Sequence, residues 1–381
     1  MEIYKHCTSY NNYLNYEELS EDIKLLWEES KKSSLCNFSK LPDEIIIKIL
    51  GNLDLKSLCR VSGVNKRFNY LSRDTQLYKS LNIRNIHYTY ERFNFDDIFL
   101  YFAPRCKYLT QLDLSYCDFS VANFNTFLAT CGKFITNLKL NYCTFIDNSA
   151  VLQISKICKN LKGLDLNTVN SLKFTELSHL ANLKFLERLH LQYIESIHND
   201  TLCEILQSNQ QMRDLNLAYT YERFGKYAIR WTTLCPNLEK LNLERAYLTL
   251  QDIDALANFK NLKEVNFSRV FPFWMADRQQ HSIAYYRNSF HKLFSSCQRL
   301  EKIDLSFNHK LTDHELETLS LCKNLKCLKL IAVLDVPDII FLQCPKLEVI
   351  HVSRAETKHL TNQWNERYQH ITIVYYEGLF L

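Results

Sequence analysis

Glycine is scarce in this sequence. Six glycines stand among 381 residues, where average usage would supply about 27. They are Gly51, Gly63, Gly132, Gly163, Gly225 and Gly378, and no two lie closer than 12 positions. A Gly-x-Gly-x-x-Gly turn, a Walker A loop and a Gly-x-Ser-x-Gly nucleophile elbow are therefore all excluded. Most nucleotide-dependent enzymes and α/β hydrolases go with them. A second absence is charge of one sign. Lys plus Arg number 46 against 42 Asp plus Glu, a net of +4, too balanced for a nucleic-acid-binding or membrane-surface chain.

Long apolar runs are missing too. No stretch of 18 apolar residues occurs, so no membrane insertion is expected. The start lacks an apolar core, carries Glu17 and Glu18, and has no Arg before Arg60; a secretory or transit peptide is not expected. Glu2 is incompatible with myristoylation, and Gly378-Leu379-Phe380-Leu381 is not a prenylation box. The expected setting is intracellular, cytoplasmic and/or nuclear, with the 14 cysteines as thiols and not disulfides. Hydrophobic residues make up 46%, enough for a sizeable core.

What is present is repetition. The pattern L-x-x-L-x-L, with an apolar residue at each L, begins at Leu109, Ile135, Leu161, Leu186, Met212, Leu238, Leu262, Leu300, Leu325 and Leu347. Successive intervals are 26, 26, 25, 26, 26, 24, 38, 25 and 22. Tyr78-x-x-Leu81-x-Ile83 reads as an irregular first unit and Ile371-x-x-Val374-x-Tyr376 as a terminal one. Alternation of this kind predicts a short strand with one buried face. Between strands, Phe124, Phe127, Leu128 and Cys131 follow helical spacing, as do Leu152, Ile154 and Ile157. One strand and one helix per unit cannot bury their apolar faces alone. Stacked units share one core, with parallel strands on the concave side and helices on the convex side.

A Cys lies three or four residues before the first Leu at Cys106, Cys131, Cys158, Cys235, Cys297, Cys322 and Cys344, and Cys117 and Cys143 follow their strands. With the repeat, these residues resemble the cysteine-containing leucine-rich-repeat family over about 100–376. The expected class is α/β, a curved solenoid over 81–381 of about ten regular repeats plus terminal units. The 38-residue interval contains an insertion at about 271–284, with Phe271-Pro272-Phe273-Trp274-Met275. It either packs back on the solenoid or binds.

Residues 38–80 have another texture. Pro42 suits a first helical turn, and Asp43 and Glu44 suit the positive end of the helix dipole. Ile45, Ile49 and Leu50 are placed on one helix face. Asp54 is an expected N-cap for a second short helix, and Val64-Asn65-Lys66-Arg67-Phe68 opens a third. Three helices in about 40 residues make a small core that leans on a partner. Leu41, Pro42, Glu44, Ile45, Ile49, Leu50, Leu53, Asp54, Leu58, Val64, Lys66, Arg67 and Phe68 resemble the F-box family, with Phe68 and Tyr78 where that family often has Trp. The resemblance implies a module docking the Skp-type adaptor of a cullin–RING ubiquitin ligase through Leu41, Pro42, Glu44, Ile45, Ile49, Leu50, Leu53, Leu58, Val64, Lys66 and Phe68. A cap on the solenoid's open end is the alternative. Before it, 1–37 form an extension with a helix expected at about 16–31, from Tyr16, Leu19, Ile23, Leu26 and Trp27.

No catalytic constellation emerges. There is no Cys-x-x-Cys and no His-Glu-x-x-His, so no metal or cofactor is expected. Asp113, Asp165 and Asp304 share one column, as periodicity alone would give. The column two positions past each repeat's last L reads Tyr116, Tyr142, Thr168, Tyr193, Tyr219, Arg245, Arg269, Phe307, Ala332 and Arg354. Tyr and Arg are common hot-spot residues. Tyr116, Tyr142, Tyr193, Tyr219, Arg245, Arg269 and Arg354, with Trp274 of the insertion, are the candidate contacts for an unknown protein substrate. The F-box followed by repeats resembles the substrate receptors of SCF-type ubiquitin ligases, which are not themselves catalysts. A repeat scaffold or inhibitor without a ubiquitin role is the alternative.

Overall fold

The regular x-L-x-L segments fold as the alternation requires, with their apolar residues turned inward. The computed structural model describes residues 38–84, 95–169, 177–194, 198–220, 227–270, 283–308, 311, 313–333, 336–353 and 361–376. The helix expected at 16–31, Trp274 with residues 271–282, and Arg354 lie outside these residues. The chain packs as two compact units, 1–135 and 136–381.

In the first unit three short helices, α1 (Asp43–Leu50), α2 (Leu55–Val61) and α3 (Lys66–Leu71), precede the parallel pair β1 (Ser80–Asn82) and β2 (Gln111–Asp113). Helices α4 (Phe95–Phe102) and α5 (Val121–Cys131) flank β2 in sequence. Asp54 caps α2 by accepting from the Ser57 N–H (2.7 Å), and Asn65 caps α3 by accepting from the Phe68 N–H (2.9 Å). Each cap satisfies a donor that the first helical turn would leave open. Ile46, Leu50, Leu58, Leu71 and Tyr78 are buried. The Tyr78 hydroxyl donates to the Ser72 carbonyl at 2.6 Å, so its polar end is satisfied inside.

The second unit is a parallel α/β solenoid. Its strands are β3 (Asn137–Lys139), β4 (Gly163–Asp165), β5 (Arg188–His190), β6 (Asp214–Asn216), β7 (Lys240–Asn242), β8 (Glu264–Asn266), β9 (Lys302–Asp304), β10 (Cys327–Leu330), β11 (Val349–Ser353) and β12 (Thr372–Tyr376). They pair in chain order, every pair parallel. The register sets Leu138, Leu164, Leu189, Leu215, Leu241, Val265, Ile303, Leu328 and Ile350 in one row, all buried. Helix residues such as Ile154, Leu206, Trp231, Phe290 and Phe294 are buried in the same unit.

The terminal unit differs from the sequence reading by one residue. Ile350 pairs with Ile373 and Val352 with Tyr375, so Ile373 and Tyr375 continue the inward row. Val374 and Tyr376 turn to the open face, and the Tyr376 hydroxyl lies 3.3 Å from His351 Nδ1. Ile371-Thr372-Ile373-Val374-Tyr375-Tyr376 is apolar on both alternations, so its pattern does not choose between registers.

The repeat cysteines are packing residues. Cys106, Cys131, Cys158, Cys235, Cys297, Cys322 and Cys344 are buried and unbridged. Burial pushes the Cys158 and Cys235 thiols up to about 12 and that of Cys297 to about 11. Several donate weakly to backbone: Cys235 Sγ to the Trp231 carbonyl (3.2 Å), Cys297 Sγ to that of Phe259 (3.4 Å) and Cys344 Sγ to that of Leu319 (3.5 Å). Neutral, inaccessible thiols of this kind are inert.

Candidate functional site: an exposed helix face and an open sheet

Helix α1 splits its isoleucines between two faces. Ile46 and Leu50, four apart, are buried at 0% and 2% exposure. Ile45 and Ile49, also four apart, remain 40% and 39% exposed. Leu53 just past the helix is 36% exposed, and Val64 ahead of α3 is 66% exposed. Leu50 and Leu58 therefore belong to the internal core and not to the docking face on which the sequence reading set them. In a core this small the apolar count alone does not say which isoleucine of a triplet points in. Pro42, Glu44 and Lys66 are exposed, while Leu41 and Phe68 are half-buried. The Phe68 ring lies 6.2 Å from that of Phe38. Arg67 ties the start of the segment to α3. Its Nε donates to Asp43 Oδ1 (2.8 Å), and one terminal nitrogen donates to Asp43 Oδ1 and the Leu41 carbonyl (2.5 Å each).

On the open face of the second unit, charge alternates from strand to strand. The residue just before each of the strands β4 to β11 reads Lys162, Glu187, Arg213, Glu239, Lys263, Glu301, Lys326 and Glu348. Ion pairs link Lys162 to Glu187 (3.0 Å), Arg213 to Glu239 (2.6 Å), Lys263 to Glu239 (2.8 Å) and Lys326 to Glu301 (2.8 Å). The Lys263 hydrogen bond, ahead of that from Arg213, holds the Glu239 carboxyl below the usual range. The next column repeats the device with Arg188, Asp214, Lys240, Glu264 and Lys302, where Glu264 takes both Lys240 (3.0 Å) and Lys302 (3.1 Å). Parallel in-register strands would stack like charges if every repeat carried the same residue. Alternation turns that repulsion into pairing, and it cancels the long-range field of the face.

The carboxylate column is structural. Asp113 Oδ1 accepts from the Ser115 N–H (3.1 Å) and Asp304 Oδ1 from the Ser306 N–H (3.0 Å). Asn216, Asn242 and Asn266 do the same for Ala218, Glu244 and Ser268. These are Asx turns that end each strand. Asp165 departs from the pattern. His190 lies between it and Asp214, with Nδ1 3.6 Å from Asp165 Oδ2 and Nε2 3.1 Å from Asp214 Oδ1. Burial opposes the imidazolium, but hydrogen bonds and charge from the two carboxylates prevail and lift His190 to about 9. Burial likewise opposes the Asp165 charge, and the His190 and Asn141 hydrogen bonds outweigh it, lowering that carboxyl.

The Tyr/Arg column follows the turn. Tyr116, Tyr142, Thr168, Tyr193, Tyr219, Arg245, Arg269, Phe307 and Ala332 all have φ between 56° and 63°. Left-handed backbone at nine non-glycine residues is costly, and side-chain stacking accompanies it. The Tyr193 and Tyr219 rings stack at 4.0 Å and 22°. The Arg245 guanidinium lies 5.3 Å from the Tyr219 centroid, and that of Arg269 lies 4.0 Å from Phe307. Arg269 is also paired with Glu244 (3.2 Å), which accepts the Tyr219 hydroxyl as well (2.8 Å). In the first unit Arg84 covers Tyr116 at 5.0 Å. The structure thus gathers Tyr193, Tyr219, Arg245 and Arg269 into one cluster, with Arg269 donating to the Tyr219 hydroxyl (3.3 Å) and its charge matched by Glu244. Glu244, absent from the sequence reading, is its hub. Its signal was modest: the one acidic residue immediately before a column arginine.

Among the described residues no group of three or more His, Cys, Asp or Glu gathers to hold a metal ion, and no helix is long and apolar enough to cross a membrane.

Comparison with known proteins follows the two parts of the chain. Residues 38–84 match the F-box-like family. The F-box/LRR-repeat protein 4 of Bos taurus is 28% identical over 291 residues, covering 74% of this chain and 44% of that protein. The chain thus spans under half the length of this relative. Among solved structures, a chain of the yeast Rad7 and Elc1 complex is similar at 17% identity and a TM-score of 0.40, covering 90% of this chain and 92% of that one. Internalin C2 of Listeria monocytogenes is similar at 15% identity and a TM-score of 0.41, covering 72% and 100% respectively.

Proposed function

We propose that this chain, a member of the F-box/leucine-rich-repeat family, is the substrate-recognition subunit of an SCF-type cullin–RING ubiquitin ligase. The observation that carries this reading is the exposed aliphatic face of α1. A small three-helix segment leaves Ile45, Ile49, Leu53 and Val64 in water, although its core has few apolar residues to spare. Large exposed apolar residues in a marginal module fit a partner surface. The Skp-type adaptor supplies that surface, and through it the cullin and the ubiquitin-loaded conjugating enzyme.

The chain's part is then positioning. The solenoid holds a protein substrate, and tethering raises the effective concentration of its lysines near the thioester. No bond is made or broken by this chain. Such a role is exercised in the cytoplasm or nucleus.

The test is co-expression of the full chain with a Skp-type adaptor. Wild type should co-elute with the adaptor on gel filtration. Ile45→Asp with Ile49→Asp should abolish co-elution and leave the circular dichroism of the repeats intact, since both side chains already face solvent. Failure of wild type to bind, or equal binding by the double variant, would overturn the reading and favour a repeat scaffold with no ubiquitin role.

A further inference from the structure

Three carboxamides stand in a row on the open face of the second unit. Asn141, Asn167 and Gln192 occupy the same position of successive repeats, just past β3, β4 and β5, and no carboxamide stands there in the later repeats, from Ala218 to Ser353. Backbone bonds fix which way they point. Asn141 Oδ1 accepts from the Asn167 N–H (3.2 Å), and Asn167 Oδ1 accepts from the Gln192 N–H (2.9 Å). Asn216, one column over, accepts from the Ala218 N–H (3.0 Å), which leaves its Nδ2 to donate to Gln192 Oε1 (3.3 Å). A backbone N–H can only donate, so each of these oxygens is assigned through its partner and each NH2 group takes the other side.

The oxygens of the row are engaged, and its donors are not. Asn141 gives one Nδ2 proton to Asp165 Oδ2 (2.9 Å). Among the described residues, Asn167 Nδ2 and Gln192 Nε2 donate to nothing, and neither atom is sealed from solvent. All three side chains belong to half-buried residues. A segment laid over them must therefore bring acceptors, because a donor covered without a partner costs affinity.

The surroundings decide the occupant. Asp165 and Asp214 flank His190, and Lys139 lies beside Asp165 in register, so neither sign dominates next to the row. Arg188 has no carboxylate partner among the described residues. It starts β5, about 13 Å along the strand from Gln192, and reaches over Gly163 to Asn137 Oδ1 (2.9 Å). An anion is drawn to Arg188 and not to the row. The uncharged acceptor that every protein segment carries is its main-chain carbonyl. Carbonyls not already bonded within a helix or sheet belong to an extended segment or to a helix end. The row spans two strand spacings, about 10 Å, whereas the backbone cylinder of a helix is about 5 Å across. An extended segment covers the row with about three residues. We infer that Asn141, Asn167 and Gln192 read main chain: their NH2 groups donate to the carbonyl oxygens of an extended substrate segment, which binds with little demand on its charge. This inference deepens the receptor reading and rests on it.

The experiment pans a displayed library of short, random, unmodified peptides on the full chain bound to its adaptor. In an enriched peptide, peptide bonds are then replaced singly by uncharged (E)-alkenes, each of which removes a carbonyl. At one or two positions affinity should fall about tenfold, as for a donor left unpaired. An ester at the same bond keeps a carbonyl, removes only the N–H, and should cost less. Asn167→Asp and Gln192→Glu exchange an NH2 group for an oxygen but keep the acceptors for the Gln192 N–H and Asn216 Nδ2; each should weaken binding about tenfold. Asn242→Asp makes the same exchange outside the row, where Asn242 Oδ1 accepts from the Glu244 N–H, and Arg188→Gln removes the unmatched cation. Both should leave affinity within about twofold. Indifference to every alkene, an equal loss on the ester, indifference to Asn167→Asp and Gln192→Glu, tighter binding by either, weakening by Arg188→Gln or by added phosphate, or no enriched peptide would each overturn the site. The alkene series uses wild-type protein, so it decides even where a variant fails to fold. Adaptor co-elution is scored on the same samples. Loss of the adaptor in wild type would defeat the receptor reading alone, because the panning can be repeated on the free chain.

Discussion

His190 offers a quantitative test of how the open face is held together. Its imidazole lies between Asp165 and Asp214 with about a fifth of its side chain exposed, and its folded value is about 9 against an unfolded value of about 6.5. The folded value is the higher one, so the folded protein keeps a proton that the unfolded chain releases. The stabilisation is complete below the unfolded value and declines as pH rises towards the folded one. At about 1.4 kcal/mol per pH unit, the whole interval is worth about 3 kcal/mol, and the part between pH 6.5 and 8 about 2 kcal/mol. The comparison variant is His190→Gln, which keeps an amide donor but not the charge. Urea unfolding of both proteins at intervals from pH 6.5 to 8 should show wild type more stable at the acidic end, the lead shrinking by about 2 kcal/mol. Stopping at pH 8 matters. The buried cysteines also have raised values, and their unfolded thiols are half ionised near pH 8.5. Other histidines are common to both proteins and cancel. A lead that does not change with pH, or an imidazole titrating below pH 7 by long-range nitrogen–proton NMR, would refute the reasoning. It would mean that burial of the ring outweighs its two carboxylates.

Two further substitution pairs separate packing from surface. Cys158→Ser should cost about 1–3 kcal/mol by burying a hydroxyl, whereas Cys297→Ser should cost less, because the Phe259 carbonyl that accepts from its Sγ can accept from a hydroxyl; chemical denaturation of the two variants compares them directly. In the F-box segment Leu58→Ala should lower stability by about 2–5 kcal/mol, and Ile49→Ala should stay within about 0.5 kcal/mol, with equal losses counting against the two-faced description of α1.

Much of the fold was legible because a repeat states its pattern many times. The inward leucines, the helical spacing between strands and the placement of the cysteines follow from L-x-x-L-x-L and its interval. Legibility failed where the pattern loses contrast. The last unit is apolar on both alternations, so Ile373 and Tyr375, not Val374 and Tyr376, continue the inward row. In α1 three consecutive isoleucines made the exposed face ambiguous, and Leu50 was assigned to the wrong one.

The site was legible in composition but not in connectivity. A column of tyrosines giving way to arginines was visible; that Glu244 neutralises Arg269 was not, because the partner sits one column over and one strand away. The sign alternation from Lys162 to Glu348 was equally present in the sequence, but it takes strand register to turn alternating letters into ion pairs. Register also changes what the column means. Read as a list, it contrasts a tyrosine half with an arginine half. Read in register, its Arg269 charge is matched by Glu244, and its irregularity is Thr168, a β-branched residue in a left-handed conformation between Tyr142 and Tyr193. On the proposed role as a substrate receptor, a face of alternating, paired charge offers little long-range attraction, so substrate affinity should vary little with ionic strength. Dissociation constants measured from 0.05 to about 0.5 M salt should stay within about threefold, where a guanidinium clamp on carboxylates or phosphate would weaken steeply as screening grows.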